Sequence, residues 1–262
     1  MIRLAVPYLR RRSRTDRSKV SIFDDPGLFG RLSASDYDAG TNPDPAPAVD
    51  FLAGLADGGP VLELAIGTGR VALPLAERGL AVEGVEASPE MVARMRAKPG
   101  GAEVPVAIGD LADVPVVGPY RLVYLVFNTL FNLVDAERQA DCFRNVARVL
   151  APGGAFVIEA FVPDPADFDR DEQLAVRAVT EDSVTLRVHR YDRPGQRFVR
   201  QTITIDGDGV RLHPFAMRYL WPEQIDALAA AAGLRLTERY ADWHRRPFDA
   251  DSTDHVSVYR LG

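Results

Sequence analysis

A single carboxylate interrupts an apolar run just before a glycine turn: Val61-Leu62-Glu63-Leu64-Ala65-Ile66-Gly67-Thr68-Gly69-Arg70. Residues 61–66 read as a core strand, and a core strand of a parallel sheet is apolar throughout. A buried carboxylate is costly unless a cation or hydrogen-bond donors meet it. The turn that follows suggests what Glu63 serves. Gly67 and Gly69 let a backbone approach a ligand closely, and the helix that follows turns its free N–H groups toward the same place.

Three more chemistry-bearing residues stand at the ends of strand-like runs. Residues 80–85 end at Glu86, residues 104–108 lead into Gly109-Asp110, and residues 122–127 end at Asn128. Two ligand classes fit a glycine turn with an acid about 20 residues later. A nicotinamide or flavin dinucleotide fits Gly67, Gly69, Ala72 and Glu86. Its pyrophosphate would be repelled by Glu63. S-adenosylmethionine fits the same turn, and its methionine ammonium favours a carboxylate at Glu63.

The elements that must hold these residues alternate. Helices are expected from Asp44 to about Ala56, from about Arg70 to Glu77, from Ser88-Pro89 onward, and over 135–150. Between them lie the strands 61–66, 80–85, 104–108, 122–127 and 155–162. This predicts a doubly wound, mostly parallel α/β sheet with helices on both faces. Ligands of such sheets bind beyond the carboxyl ends of the strands. After Val162 the period changes. Residues 184–191, 197–205 and 210–219 alternate apolar and polar, with turns at Arg193-Pro194-Gly195 and Asp206-Gly207-Asp208-Gly209. They predict an antiparallel β insertion after the fifth strand. Helix 222–232 and strands 234–240 and 255–261 follow.

The motifs together resemble the class I S-adenosylmethionine-dependent methyltransferases. Glu63-Leu-Ala-Ile-Gly67-Thr-Gly69 is similar to their first motif, E/D-x-G-x-G-x-G. Val85-Glu86-Ala87-Ser88-Pro89-Glu90-Met91, Gly109-Asp110-Leu111 and Leu150-Ala-Pro-Gly153-Gly154 continue the resemblance. Ala65 departs from it, standing where the first glycine is common; a methyl there suits a residue belonging to the strand rather than the turn. The resemblance implies a Rossmann-like fold and these cofactor contacts. Glu63 faces the methionine amine, and Ala65, Gly67, Gly69 and Arg70 belong to the turn beneath it. Glu86 accepts from both ribose hydroxyls, while Ala87 and Met91 pack near the adenine. Gly109 leads into Asp110, which accepts from the adenine amino group, and the Leu111 N–H donates to the ring. Phe127 and Asn128 sit beside the sulfonium. The segment before the first strand resembles the cap of small-molecule methyltransferases, and Tyr37-Asp38 is similar to a tyrosine site in sugar N-methyltransferases of natural-product pathways. Tyr37 is therefore a lid contact to the cofactor.

Methyl transfer from a sulfonium needs in-line placement above all. A hydroxyl acceptor also needs a base, and an amine needs to arrive unprotonated. Asn128, His189 and His213 are the candidate catalytic residues, the last two from the insertion. The reading is methyl transfer to an N or O nucleophile of a small molecule. The alternatives are a protein of the same fold that binds S-adenosylmethionine for another reaction, or a nicotinamide-dependent dehydrogenase.

Charge and composition narrow the partners. The 262 residues carry a net charge of −6, yet residues 1–20 alone carry +6. They read as a basic, flexible tail on an acidic body, which argues against general nucleic-acid binding. Residues 21–57 read as a helical cap, 58–162 with 219–262 as the cofactor-binding domain, and 163–218 as the insertion, a possible homodimer surface. One cysteine and four scattered histidines offer no disulfide and no metal motif. No metal and no membrane partner are expected, and the setting is read as cytoplasmic.

Overall fold

The computed structural model describes residues 25–39, 43–168 and 170–262; the basic tail lies outside them. The strand β1 (Val61–Leu64) is buried at all four positions and pairs in parallel with β2 (Val82–Glu86) and β4 (Tyr120–Leu125). A strand flanked on both sides and covered on both faces needs the apolar run seen in the sequence. β3 (Val106–Ile108) extends the sheet beyond β2, and β5 (Leu150–Phe161) beyond β4. Two further strands complete it. β11 (Asp254–Leu261) lies antiparallel against β5, and β10 (Leu234–Tyr240) antiparallel against β11. The order is β10-β11-β5-β4-β1-β2-β3. Strand order reverses between β4 and β1, the place where doubly wound sheets open a ligand crevice.

Helices cover both faces. On one side α5 (Ala136–Val149) buries Cys142, Phe143, Val146 and Val149, a stripe at helical spacing, against Phe156 and Tyr259. Asp135 caps it, accepting from the N–H groups of Glu137 and Arg138 at 2.8 and 3.2 Å. α6 (Pro222–Ala231) joins that layer through Ile225 and Ala229. On the other side α2 (Ala46–Ala56) and α3 (Ala72–Glu77) bury Phe51, Leu52 and Leu75 against Tyr124 and Val157. α4 (Pro89–Arg96) starts at the predicted cap, with Met91 N–H donating to Ser88 Oγ at 3.3 Å. The short helix α1 (Leu28–Ser33) rests on that cap: a Cβ added at Gly30 would lie 2.3 Å from Ser88 Cβ.

The insertion is a separate antiparallel sheet of four strands, β6 (Glu172–Val179), β7 (Val184–Asp192), β8 (Arg197–Asp206) and β9 (Gly209–Arg218). The first of these is not anticipated by alternation. It is an edge strand with seven of its eight residues exposed, so no buried face imposes a period on it. Helix α3 begins at Ala72 rather than Arg70, because residues 65–71 are spent on the turn.

Candidate active site

The carboxyl ends of β1, β2 and β3 open into a cleft, at the sheet edge where folds of this kind bind their ligands. Tyr37, Ala65, Gly67, Glu86, Ala87 and Met91 line it, as do Gly109, Asp110 and Leu111. Each parallel strand delivers its end residue to this edge, so positions far apart in sequence converge.

Glu86 is the last residue of β2 and is 8% exposed. One of its oxygens accepts from Gly67 N–H and the other from Ser88 N–H, both at 2.9 Å. These bonds fix the carboxylate plane against the cleft wall and tie β2 to the glycine turn. Burial raises its pKa, and the N–H donors of Ser88, Gly67 and Ala87 oppose the rise. Asp110 accepts from Ala112 N–H at 2.9 Å and pairs with Arg138 of α5 at 2.9 Å.

The turn itself differs from the strand-end placement expected at Ala65. β1 ends at Leu64, and Ala65 has φ +56°, in the left-handed region. Its methyl group is thus carried in the turn, at a conformation glycine adopts at no steric cost. Gly69 has φ +77°, and a Cβ there would meet Met95 Cγ at 2.7 Å and Leu73 Cγ at 2.9 Å. Only glycine fits there. Thr68 Oγ1 donates to Asp38 at 2.7 Å, and Lys98 Nζ reaches both Asp38 (2.9 Å) and Thr68 O (2.8 Å). This network pins the Tyr37–Ala39 turn over the glycine loop.

Glu63 is 3% exposed and accepts from Tyr124 Oη at 2.7 Å. Burial pushes its pKa up to about 8, against the opposing effects of the Tyr124 hydroxyl and the Arg70 charge. Arg70 lies 3.5 Å over the Phe127 ring and donates to Pro43 O at 3.1 Å. Its Nε is buried with no acceptor among the described residues. Glu63, Gly69, Arg70 and Phe127 are not among the residues that line the cleft. Phe127 has φ +56°, and its N–H donates to Glu159 at 2.8 Å. Glu159 also accepts from Trp243 Nε1 at 2.8 Å, and its burial raises its pKa.

The three candidate catalytic residues fall in three settings. Asn128 Oδ1 accepts from Phe161 N–H at 2.6 Å, tying the end of β4 to β5. His213 Nε2 is 3.1 Å from Ser33 Oγ, so β9 is bonded to α1. His189 stacks on Tyr191 within the insertion sheet. Burial, aided by neighbouring arginines, lowers the pKa of both histidines. None of the three lines the cleft.

Three residues outside the predicted site do line it. Asn132, in the Thr129–Asn132 turn, points a buried Oδ1 that has no donor among the described residues. Phe29 of α1 meets Tyr37 at 6.1 Å and Phe215 of β9 at 5.7 Å between ring centroids. Cap and insertion thus close over the cleft through aromatic edges. Nothing local in the sequence marks Phe29 or Asn132. Phe215 shares a strand face with His213, which is the one signal available. Among the described residues no group of three or more His, Cys, Asp or Glu could hold a metal, and no helix is long and apolar enough to cross a membrane.

Residues 61–154 match the family model described as a methyltransferase domain. The CcbJ methyltransferase of Streptomyces caelestis is 38% identical, with a TM-score of 0.84 over 91% of this chain and 99% of that one. This chain belongs to the S-adenosylmethionine-dependent methyltransferases. The cypemycin N-terminal methyltransferase of a Streptomyces species is 28% identical over 207 residues, 77% of this chain and 83% of that protein. The sugar N-methyltransferase KedS8 of a Streptoalloteichus species shares the fold, with a TM-score of 0.62, 23% identity, and coverage of 99% of this chain and 100% of that one. As a methyltransferase, the chain presents a cleft whose residues fit the cofactor. Glu86 lines the cleft with both oxygens fixed by backbone N–H donors, and the buried Glu63 carboxyl lies near the Arg70 guanidinium. The buried Asn132 oxygen lacks a donor among the described residues.

Proposed function

We propose that this methyltransferase moves the methyl group of S-adenosylmethionine to a nitrogen nucleophile of a natural-product-like small molecule. The observation that carries the cofactor site is Glu86, which lines the cleft at the end of β2 and is held rigid by two backbone N–H donors. A pair of ribose hydroxyls suits a carboxylate so placed. Asp110 and the Leu111 N–H would bracket the adenine, with Gly109, Ala87 and Met91 packing around it. Gly67 and Gly69 would pass beneath the ligand, beside Ala65. Glu63 would meet the methionine ammonium and Arg70 its carboxylate, with Phe127 and Asn128 nearby and Tyr37 closing from above. The cofactor supplies an electrophilic methyl on a sulfonium. The protein's share is to place the acceptor in line and to keep water out.

The nitrogen reading rests on Asn132. An amide oxygen holds an N–H and orients its lone pair, but takes no proton, which suits an amine that arrives neutral. The cypemycin relative is an N-terminal methyltransferase and KedS8 a sugar N-methyltransferase, which supports the nitrogen reading. An oxygen acceptor would instead draw on His213 or His189 as base, and His213→Ala or His189→Ala would then abolish transfer. A reducing cytoplasm fits the one free, buried cysteine, Cys142.

Calorimetric titration with S-adenosylhomocysteine tests the cofactor site. Micromolar binding is expected, and Glu86→Ala should weaken it about 10- to 100-fold, the worth of charge-assisted hydrogen bonds. No binding by the unaltered protein sinks the proposal. Turnover of an acceptor without a methyl's gain in product mass favours a different reaction on the same fold.

A further inference from the structure

The insertion sheet has one face toward the cleft and one away from it. In the antiparallel register Arg200 of β8 stands opposite His189 of β7 and Phe215 of β9, and Thr202 stands opposite Arg187 and His213. Residues directly opposite share a face. That face is the inner one, since Phe215 lines the cleft and His213 bonds to Ser33 of α1.

The inner face gathers three arginines within an otherwise acidic body. The guanidinium of Arg200 lies 4.3 Å from the Phe215 ring centroid. Arg187 sits diagonally across from it, and Arg177 of β6 adds its charge at the rim. Among the described residues none of these three arginines forms an ion pair. The Nε of Arg187 and of Arg200 are both buried with no acceptor. Burial and the neighbouring guanidiniums push Arg200 down to about 10 and lower Arg187 as well. Partly buried like charges with orphaned donors are an expensive arrangement in a body that is otherwise acidic. An arginine pair whose buried Nε–H groups have no acceptor among the described residues is matched by a carboxylate or a phosphate.

We propose that Arg187 and Arg200 bind an oxyanion carried by the methyl acceptor, a carboxylate or a phosphate, so that the acceptor spans from the insertion sheet along Phe215 to the cofactor cleft. The identity of the ligand as acceptor rests on the methyltransferase reading above; the anion site itself does not. Arg200 stacks on a cleft-wall residue, so an anion seated on it lies beside the cleft rather than in a separate pocket.

Arginine Nε–Hε NMR signals of the full-length, isotope-labelled protein read the site without needing the acceptor. Inorganic phosphate and acetate are titrated separately at constant ionic strength, with and without S-adenosylhomocysteine. Saturable shifts of the Arg187 and Arg200 signals in the millimolar range are expected, and the tighter of the two anions names the group. Arg200→Gln and Arg187→Gln should each weaken that anion about tenfold or more, while Arg200→Lys, which keeps the charge, retains part of it. Affinity for S-adenosylhomocysteine should stay within about twofold in every variant, because no cofactor contact is removed. No saturable shift with either anion up to about 100 mM, or the same shift in an Arg187→Gln/Arg200→Gln double variant, overturns the proposal. Loss of S-adenosylhomocysteine binding by the unaltered protein would instead overturn the cofactor reading and leave the anion result standing by itself.

Discussion

Replacing Glu63 by Gln separates the charge of this residue from its shape, because Tyr124 can still donate to the amide oxygen. In the unliganded fold burial pushes the Glu63 pKa up to about 8. At pH 7 about nine-tenths of the carboxyl groups are therefore protonated, by the ordinary titration relation. A methionine ammonium beside Glu63 favours the ionised form, so cofactor binding must expel that proton. The cost at pH 7, one unit below the pKa, is ~1.4 kcal/mol. A charge-assisted contact gains ~1.5–3 kcal/mol. At pH 9 Glu63 is already ionised, and Glu63→Gln should weaken the ammonium form of S-adenosylhomocysteine about 10- to 150-fold. At pH 7 the same substitution should weaken it only about 1- to 20-fold. Calorimetry in two buffers of different ionisation enthalpy counts the protons. We expect about 0.9 proton more released at pH 7 by the unaltered protein than by the Gln variant. Stability carries the same signature with its own sign. The folded pKa lies above the unfolded value of 4.5. The stabilisation of the neutral carboxyl is thus full below pH 4.5 and is lost as pH rises through about 8. Relative to Glu63→Gln, the unliganded protein should lose ~1.4 kcal/mol per pH unit inside that window. Equal proton counts, or parallel stability profiles from pH 5 to 8, refute the reasoning.

Further outcomes follow from single contacts. Asn128→Ala leaves Phe161 N–H without its acceptor and should cost ~1–3 kcal/mol in chemical denaturation. Asn132→Ala removes an oxygen that has no donor among the described residues, so it should spare stability and lower kcat; the reverse pattern would exchange their roles. Ala65→Gly relieves a left-handed alanine and should change stability by ~0 to +1 kcal/mol, because the steric relief exceeds the unfolded-state entropy only slightly. A loss above ~1 kcal/mol would contradict the turn geometry. The outer face of the insertion exposes Leu174, Val176, Val179, Val210 and Leu212, each at least 59% accessible. If it is the self-association surface, sedimentation should show a dimer that Leu212→Asp dissociates, and a monomer in the unaltered protein would remove that role.

Much of this architecture is written locally. β1 is legible because its buried central position demands an apolar run, so the one carboxylate in it stands out. Glu86 and Asp110 are legible because the turns after β2 and β3 are short and carry their own glycine, serine and proline punctuation. The rest depends on contacts between distant segments. Asn128 and Asn132 lie four residues apart and look alike in the sequence. Only the fold shows that the first is consumed by Phe161 N–H at 2.6 Å while the second is among the residues lining the cleft. Ala65 looks like the end of a strand until the backbone shows φ +56°. β6 escapes because an exposed edge strand has no period to display. His189 reads as a lone histidine, whereas strand register surrounds it with Arg187 and Arg200 from two neighbouring positions.

The most direct measurement of the account is a crystal structure with S-adenosylhomocysteine bound. The account predicts the ribose hydroxyls on Glu86, the adenine beside Asp110 and Leu111, and the homocysteine end between Glu63 and Arg70 with the sulfur toward Asn132. A ligand in the opposite sense, or one seated away from Glu86 and Gly67, would contradict it.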